Sequence, residues 1–130
     1  MEEKFSFSKS NLTKAKQLMA KYPQGRQKSA VLPLLELAQR QHDGWLSVAV
    51  MEYVADLIAE PYMRVYEVAS FYTMFNLKPV GRYHIQLCGT TPCWLMGADG
   101  VKVAFENATG TKCGQTSSNG LFTISEVECL

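Results

Sequence analysis

Histidine is nearly absent from this chain, with two in 130 residues, so a zinc site built on imidazole pairs has little to draw on. Charge of one sign is lacking as well. Thirteen basic residues stand against twelve acidic ones, a formal net charge of +1 without any run of like charge. That balance excludes the basic groove of a nucleic-acid binder and the polybasic patch of a protein drawn to an anionic membrane. No apolar stretch approaches the roughly 20 residues of a membrane span, so direct membrane insertion is not expected. The opening MEEK has neither the basic and apolar regions of a secretory signal nor the Arg-rich, acid-poor character of a mitochondrial presequence. Nucleotide loops are missing too: Gly81-Arg82 and Gly97-x-x-Gly100 do not make a phosphate cradle, and no GxGxxG or Walker pattern occurs. What is present is a 47% hydrophobic content, enough for one ordinary domain or a small domain with an attached helical segment. There are also four cysteines, which without an export signal point to a reducing compartment and to ligation or redox chemistry.

The first half reads as helices with short connections. Ser8 is a good N-cap, Phe7 can close on Leu12 as a hydrophobic staple, and Leu12, Ala15, Leu18, Met19 and Tyr22 recur at helical spacing until Pro23 and Gly25. A second helix is predicted over about 29–42, with Pro33 near its first turn and Val31, Leu34, Leu35 and Ala38 as its apolar stripe. Asp43-Gly44 breaks it, and Ser47 caps a third whose buried face is Val50, Met51, Val54, Leu57 and Ile58. Pro61 ends that helix and begins a fourth segment, 64–75, crowded with aromatics, in which Val65, Val68, Ala69, Tyr72 and Phe75 share one face. Such a stripe is core packing first, and its exposed side is the best candidate for docking.

The chemistry gathers at 86–94. Tyr83, Ile85 and Leu87 alternate with Arg82, His84 and Gln86, the period of a half-buried strand that ends at Cys88 and leaves His84 facing solvent. Thr91 as N-cap and Pro92 at the first helical position then place Cys93 in a first helical turn, where backbone N–H groups and the macrodipole favour a thiolate. That helix continues through Trp94, Ala98, Val101 and Phe105 to Gly110, weakened by Gly97 and Gly100. A Gly/Ser/Thr-rich loop at 111–120 carries Cys113, a strand follows over 121–124, and a short extended piece puts Val127 and Cys129 on one side. Strand, cysteine pair and helix stand in thioredoxin-like order. Three chemistries remain open. Thiol–disulfide exchange normally uses two intervening residues rather than four. Structural zinc would want closer pairs, or His42 and His84 as ligands. A [2Fe–2S] cluster needs four thiolates and tolerates this gap.

The blocks FSFS at 5–8, YPQGRQ at 22–27, LPLLELAQ at 32–39, GWL at 44–46, VYEVASFYTMFN at 65–76, CGTTPCW at 88–94 and LFTISEVECL at 121–130 carry a family likeness over nearly the whole chain. In that order they resemble the thioredoxin-like [2Fe–2S] subunit of NADH:quinone oxidoreductase, respiratory complex I. Related chains serve NAD-linked hydrogenases and formate dehydrogenases. The resemblance implies an α+β protein: an N-terminal helical bundle over 1–79, then a thioredoxin-like α/β domain over 80–130, truncated at its C-terminus. It implies that Cys88 and Cys93 are the first ligand pair of the cluster and Cys129 the third ligand. The fourth is expected three positions after Cys129, beyond Leu130, so that the cluster need not be present in this chain; Cys113 lies in a loop the family does not use for ligation. FMN and NADH are implied to belong to a partner subunit, with a neighbouring iron–sulfur subunit as the other contact. The implied location is the bacterial cytoplasm, on the inner face of the plasma membrane through the complex, or the corresponding place for a mature organellar chain. A stand-alone thioredoxin-like thiol redox or interaction protein, which needs no iron, is the alternative.

Two irons, two sulfides and four thiolates sum to a dianion that becomes a trianion on reduction, so neighbouring charge sets how readily it accepts an electron. Trp94 beside a ligand is expected to wall off water, and Thr90 and Thr91 to turn and cap the chain or to donate to sulfur. Glu126 and Glu128, just before Cys129, are expected to oppose reduction. The substitution Glu128→Gln is therefore expected to raise the reduction potential of the assembled cluster, and a redox titration showing an unchanged or lowered midpoint would contradict this.

Overall fold

The computed structural model describes residues 4–130, in two compact units that divide between Pro79 and Val80. The first is helical: α1 (Lys9–Met19), a single 3-10 turn (Gln27–Ala30), α2 (Val31–Gln41), α3 (Val48–Ile58) and α4 (Tyr62–Phe71). Ser8 caps α1 by accepting from the Asn11 N–H at 3.3 Å, and Phe7 ahead of it is buried in the core against which Leu12 also packs. Ser47 caps α3 in the same way through the Val50 N–H. α3 ends where Ala59 turns left-handed at φ 56°, and Pro61, at φ −62°, supplies the extended entry to α4.

Leu34, Leu35 and Ala38 of α2 meet Val50, Met51, Val54 and Ile58 of α3 and Val65 and Ala69 of α4 in one core. Two side-chain amides tie its ends. Gln41 accepts from the Ser8 N–H (3.0 Å) and the Asn11 side chain (2.7 Å) and donates to the Ser6 carbonyl (2.8 Å), anchoring the start of α1 on the end of α2. Gln39 accepts from the Asn76 N–H (2.8 Å) and donates to the Met74 carbonyl (3.0 Å), which holds the chain after α4 against α2. Phe75 is thereby buried, although it is no longer helical. Here the structure departs from the periodic reading of 64–75: α4 stops at Phe71, because Tyr72 is already extended (ψ 116°), and Tyr72 lies exposed rather than on the buried face. The Gln39 lock accounts for this, since it takes up backbone groups that a longer helix would have used internally.

The second unit is built on two parallel strands, β1 (Tyr83–Cys88) and β2 (Phe122–Val127), paired Tyr83↔Phe122 through Cys88↔Val127. Between them run α5 (Thr91–Leu95) and α6 (Ala98–Thr109). The single helix expected from 91 to 110 is thus two, because Gly97 adopts φ 97° and ends the first before the second begins. Gly110, at φ 67°, closes α6 as anticipated. The loop after α6 returns along β2: the Gly114 N–H donates to the Ile124 carbonyl (2.7 Å) and the Ser117 N–H to the Phe122 carbonyl (2.7 Å). That covers the edge of β2 opposite β1. His84 is half-buried rather than solvent-facing, its Nε2 2.8 Å from Ser125 Oγ on the neighbouring strand. Burial holds its pKa below the ordinary histidine value.

The two units bury apolar surface unequally. In the helical unit Leu34 is fully enclosed, whereas in the second unit Ile124 is the one hydrophobic residue fully buried among the described residues. Leu34→Ala is expected to cost about 2–5 kcal/mol by the lost transfer energy plus the cavity it leaves. Truncating the 88% exposed Met96 to alanine is expected to stay within about 0.5 kcal/mol. Urea unfolding followed by far-UV circular dichroism checks both, and equal costs would contradict the burial difference.

Candidate metal centre

Parallel pairing brings like ends of strands together. Cys88 closes β1 opposite Val127, the last residue of β2, so Cys129 follows two residues beyond Cys88's partner, at the same end of the sheet. This is the end at which ligands gather in parallel α/β sheets. From Cys88 the chain turns through Gly89 and Thr90 into α5, which returns Cys93 to the neighbourhood of Cys88, near enough for each thiol to shift the other's ionisation. The chain after β2 also comes back, bringing the Leu130 backbone near enough to Cys88 to favour its thiolate. Cys88 and Cys93 are half-buried and Cys129 is exposed.

The cap of α5 lies one residue earlier than the sequence suggests. Thr90 is the N-cap, with Thr91 and Pro92 at the first two helical positions, and Thr90 makes no side-chain bond to the helix. Its hydroxyl lies instead 3.1 Å from Cys88 Sγ. The Thr90 hydroxyl and then its N–H, followed by Cys93 and the Leu130 N–H, lower the Cys88 thiol to about 7. Cys93 moves the other way. It hydrogen-bonds to the Cys88 sulfur, it is partly desolvated, and on ionising it would become a further anion beside Cys88 and Cys129, all of which raise its pKa. The helix-start argument favours Cys93 as the activated thiol, whereas the structure lowers the pKa of Cys88, through the Thr90 hydroxyl, and raises that of Cys93; α5 is only five residues long.

Trp94 does not wall off this site among the described residues. It is 56% exposed, with its Nε1 donating to Asp99 Oδ2 at 3.0 Å. Cys113 lies on the loop along the far edge of β2, its N–H donating to Glu106 Oε1 at 3.0 Å. His42 belongs to the helical unit. Among the described residues, no three His, Cys, Asp or Glu side chains converge closely enough to hold a single metal ion. The sequence reading missed Lys102, whose Nζ reaches Glu126 Oε2 at 3.4 Å; on an exposed helix 24 residues away, it carries no local signal.

A parallel βαβ unit with thiols gathered where its strands end is the scaffold of a thioredoxin-like iron–sulfur carrier. Residues 15–130 match the thioredoxin-like [2Fe-2S] ferredoxins, and the chain belongs to that family, as its sequence motifs imply. It is 56% identical over 126 residues to the E subunit of NADH-quinone oxidoreductase from Rickettsia conorii, an alignment covering 97% of this chain and 75% of that protein. To the protein of the same name from Rickettsia felis it is 54% identical over 130 residues, 100% of this chain and 78% of the relative. The donor set suits the family's cluster, which takes four thiolates: Cys88 and Cys93 are near enough to shift one another's ionisation, and Cys129 lies at the same end of the sheet.

Alkylation of the reduced, metal-free chain at Cys88 should follow the thiolate. It is expected to be slow below the folded pKa and to rise with a midpoint near pH 7. Removing the hydroxyl with Thr90→Val should move that midpoint up toward the ordinary thiol range. Peptide mapping after iodoacetamide pulses reads both, and a midpoint indifferent to Thr90 would dismiss the hydroxyl as its cause.

Proposed function

We propose that this chain is an electron-transfer subunit of NADH-quinone oxidoreductase, respiratory complex I, acting within that assembly rather than catalysing alone. The observation that carries this reading is the placement of Cys88, Cys93 and Cys129 at the same end of the β1–β2 pair in a chain of the [2Fe-2S] family. Cys88 and Cys93 would form one ligand pair, Cys129 half of the second, and a thiolate from beyond Leu130 the remainder. The cluster, when bound, supplies reversible one-electron transfer.

The chain's own residues set the conditions for it. The Thr90 hydroxyl, 3.1 Å from Cys88 Sγ, donates to a sulfur that must carry more negative charge after reduction, and so favours the reduced state. The half-burial of Cys88 and Cys93 limits water at the first pair, while exposed Cys129 leaves the second facing outward. Hydride chemistry belongs elsewhere on this reading: without a phosphate-cradling loop, this chain leaves FMN and NADH to a partner subunit, with a neighbouring iron–sulfur subunit as the next contact. No helix among the described residues is long and apolar enough to cross a membrane. The proposed place is accordingly peripheral, on the cytoplasmic face of the bacterial plasma membrane through the other subunits. An NAD-linked hydrogenase or formate dehydrogenase would use the same unit in the same way. The nearness of Cys88 and Cys93 also suits a second reading, a thiol–disulfide couple without iron.

Visible absorption and low-temperature EPR before and after dithionite, with iron and sulfide assays, distinguish these on residues 1–130 and on a chain extended past Leu130. The extended chain is expected to show a reducible binuclear cluster that Cys129→Ser abolishes and Cys113→Ser leaves unchanged. Loss of the signal with Cys113→Ser would reassign the fourth ligand. Absence of iron from both chains, with a reversible Cys88–Cys93 disulfide, would replace the electron carrier with the thiol couple.

A further inference from the structure

Gly89, immediately after Cys88, is not one of the glycines with positive φ, so its backbone is open to any residue. What it supplies is space. A Cβ built there would fall within 2.7 Å of Glu126 Cγ and closer still to the carboxylate, so the side chain of Glu126 lies directly on the glycine. The seat is fixed from both sides: the Gly89 N–H donates to the Val127 carbonyl at 3.3 Å, and Glu126 is paired in register with Leu87. Lys102 of α6 completes it with its ammonium 3.4 Å from the other carboxylate oxygen. A negative charge is thus held against the turn between Cys88 and Thr90, with a positive charge held on it from outside.

We propose that Glu126 and Lys102, seated on Gly89, are positioning residues that set the local charge beside the Cys88 ligand, and that the absent side chain at position 89 keeps this pair in place. The proposal rests on the electron-carrier reading above. Adding an electron to an anionic group is opposed by Glu126 and assisted by Lys102, so the pair holds the two effects near balance, and loss of either partner exposes the other. The side chains of Lys102 and Glu126 are 34% and 52% exposed, so solvent and salt weaken the effect without abolishing it.

The test is the midpoint potential of the cluster-loaded chain extended past Leu130, read by EPR redox titration at low and high salt. Glu126→Gln is expected to raise the potential and Lys102→Gln to lower it, each by roughly threefold in the reduction equilibrium, about 30 mV for one electron. The double variant should return close to the starting value, and all shifts should shrink as salt rises. Gly89→Ala keeps every charge but evicts the carboxylate. It should move the potential in the direction of Glu126→Gln, and add nothing when combined with that substitution. Glu126→Gln and Lys102→Gln shifting the potential in the same direction, or neither shifting it, would overturn the inference while leaving the electron-carrier reading intact. A chain extended past Leu130, otherwise unaltered, that takes up no cluster would instead overturn that reading, and the inference with it.

Discussion

The parallel pairing of β1 with β2 is the constraint on which the rest of the second unit depends. Cys88 and Cys129 are far apart along the chain, and no helical or turn geometry could bring them to one place. The register Cys88↔Val127 does so at once. It also delivers Glu126 to Gly89 and brings the chain at Leu130 back to the sulfur of Cys88. A slip of one residue would turn every side chain of β2 to the opposite face, taking Ile124 out of its buried position and Glu126 off the glycine.

The two units keep their order by different means. In residues 4–79 stability comes from apolar burial, with leucines and valines enclosed among α2, α3 and α4, and glutamines at the boundaries holding the ends. In residues 80–130 almost nothing apolar is fully enclosed, and polar bonds carry the local geometry. Thr123 Oγ1 accepts from the Gly81 N–H at 2.6 Å and hydrogen-bonds with Thr116 Oγ1, 2.8 Å away. Ser117 Oγ accepts from the Phe122 N–H and donates to Asn119, pinning the loop to β2. A unit so thinly packed has more to gain from bonds between its thiols and a bound metal group, because ligation of a folded site adds directly to folding free energy.

Much of this was legible in the sequence because it was written locally. Ser8 and Ser47 announced their helices through capping, Gly110 marked the end of α6, and alternating side chains led to Cys88 at the end of a strand. The motifs also carried the family. What the sequence hid depends on partners far away in the chain. α4 shortens because Gln39 captures the backbone at 74–76, and His84 leaves the solvent because Ser125 lies beside it. Thr90 turns its hydroxyl to a sulfur rather than to a helix, which reverses the order in which two neighbouring thiols ionise. Gly97 looked like a weak point within one helix, and only its left-handed backbone shows it to be the boundary between two.

The separation of the thiols along the chain has a consequence for the order of assembly. Cys88 and Cys93 are joined by one short turn, which closes on the timescale of local structure and needs no sheet. Cys129 reaches them only after the closure entropy of the long intervening segment, with both helices, has been overcome and the strands have aligned. The newly made chain therefore passes through a period in which half of the thiol set is already gathered and the other half is still free to find the wrong partner. The site as a whole can mature only as fast as two distant strands can meet.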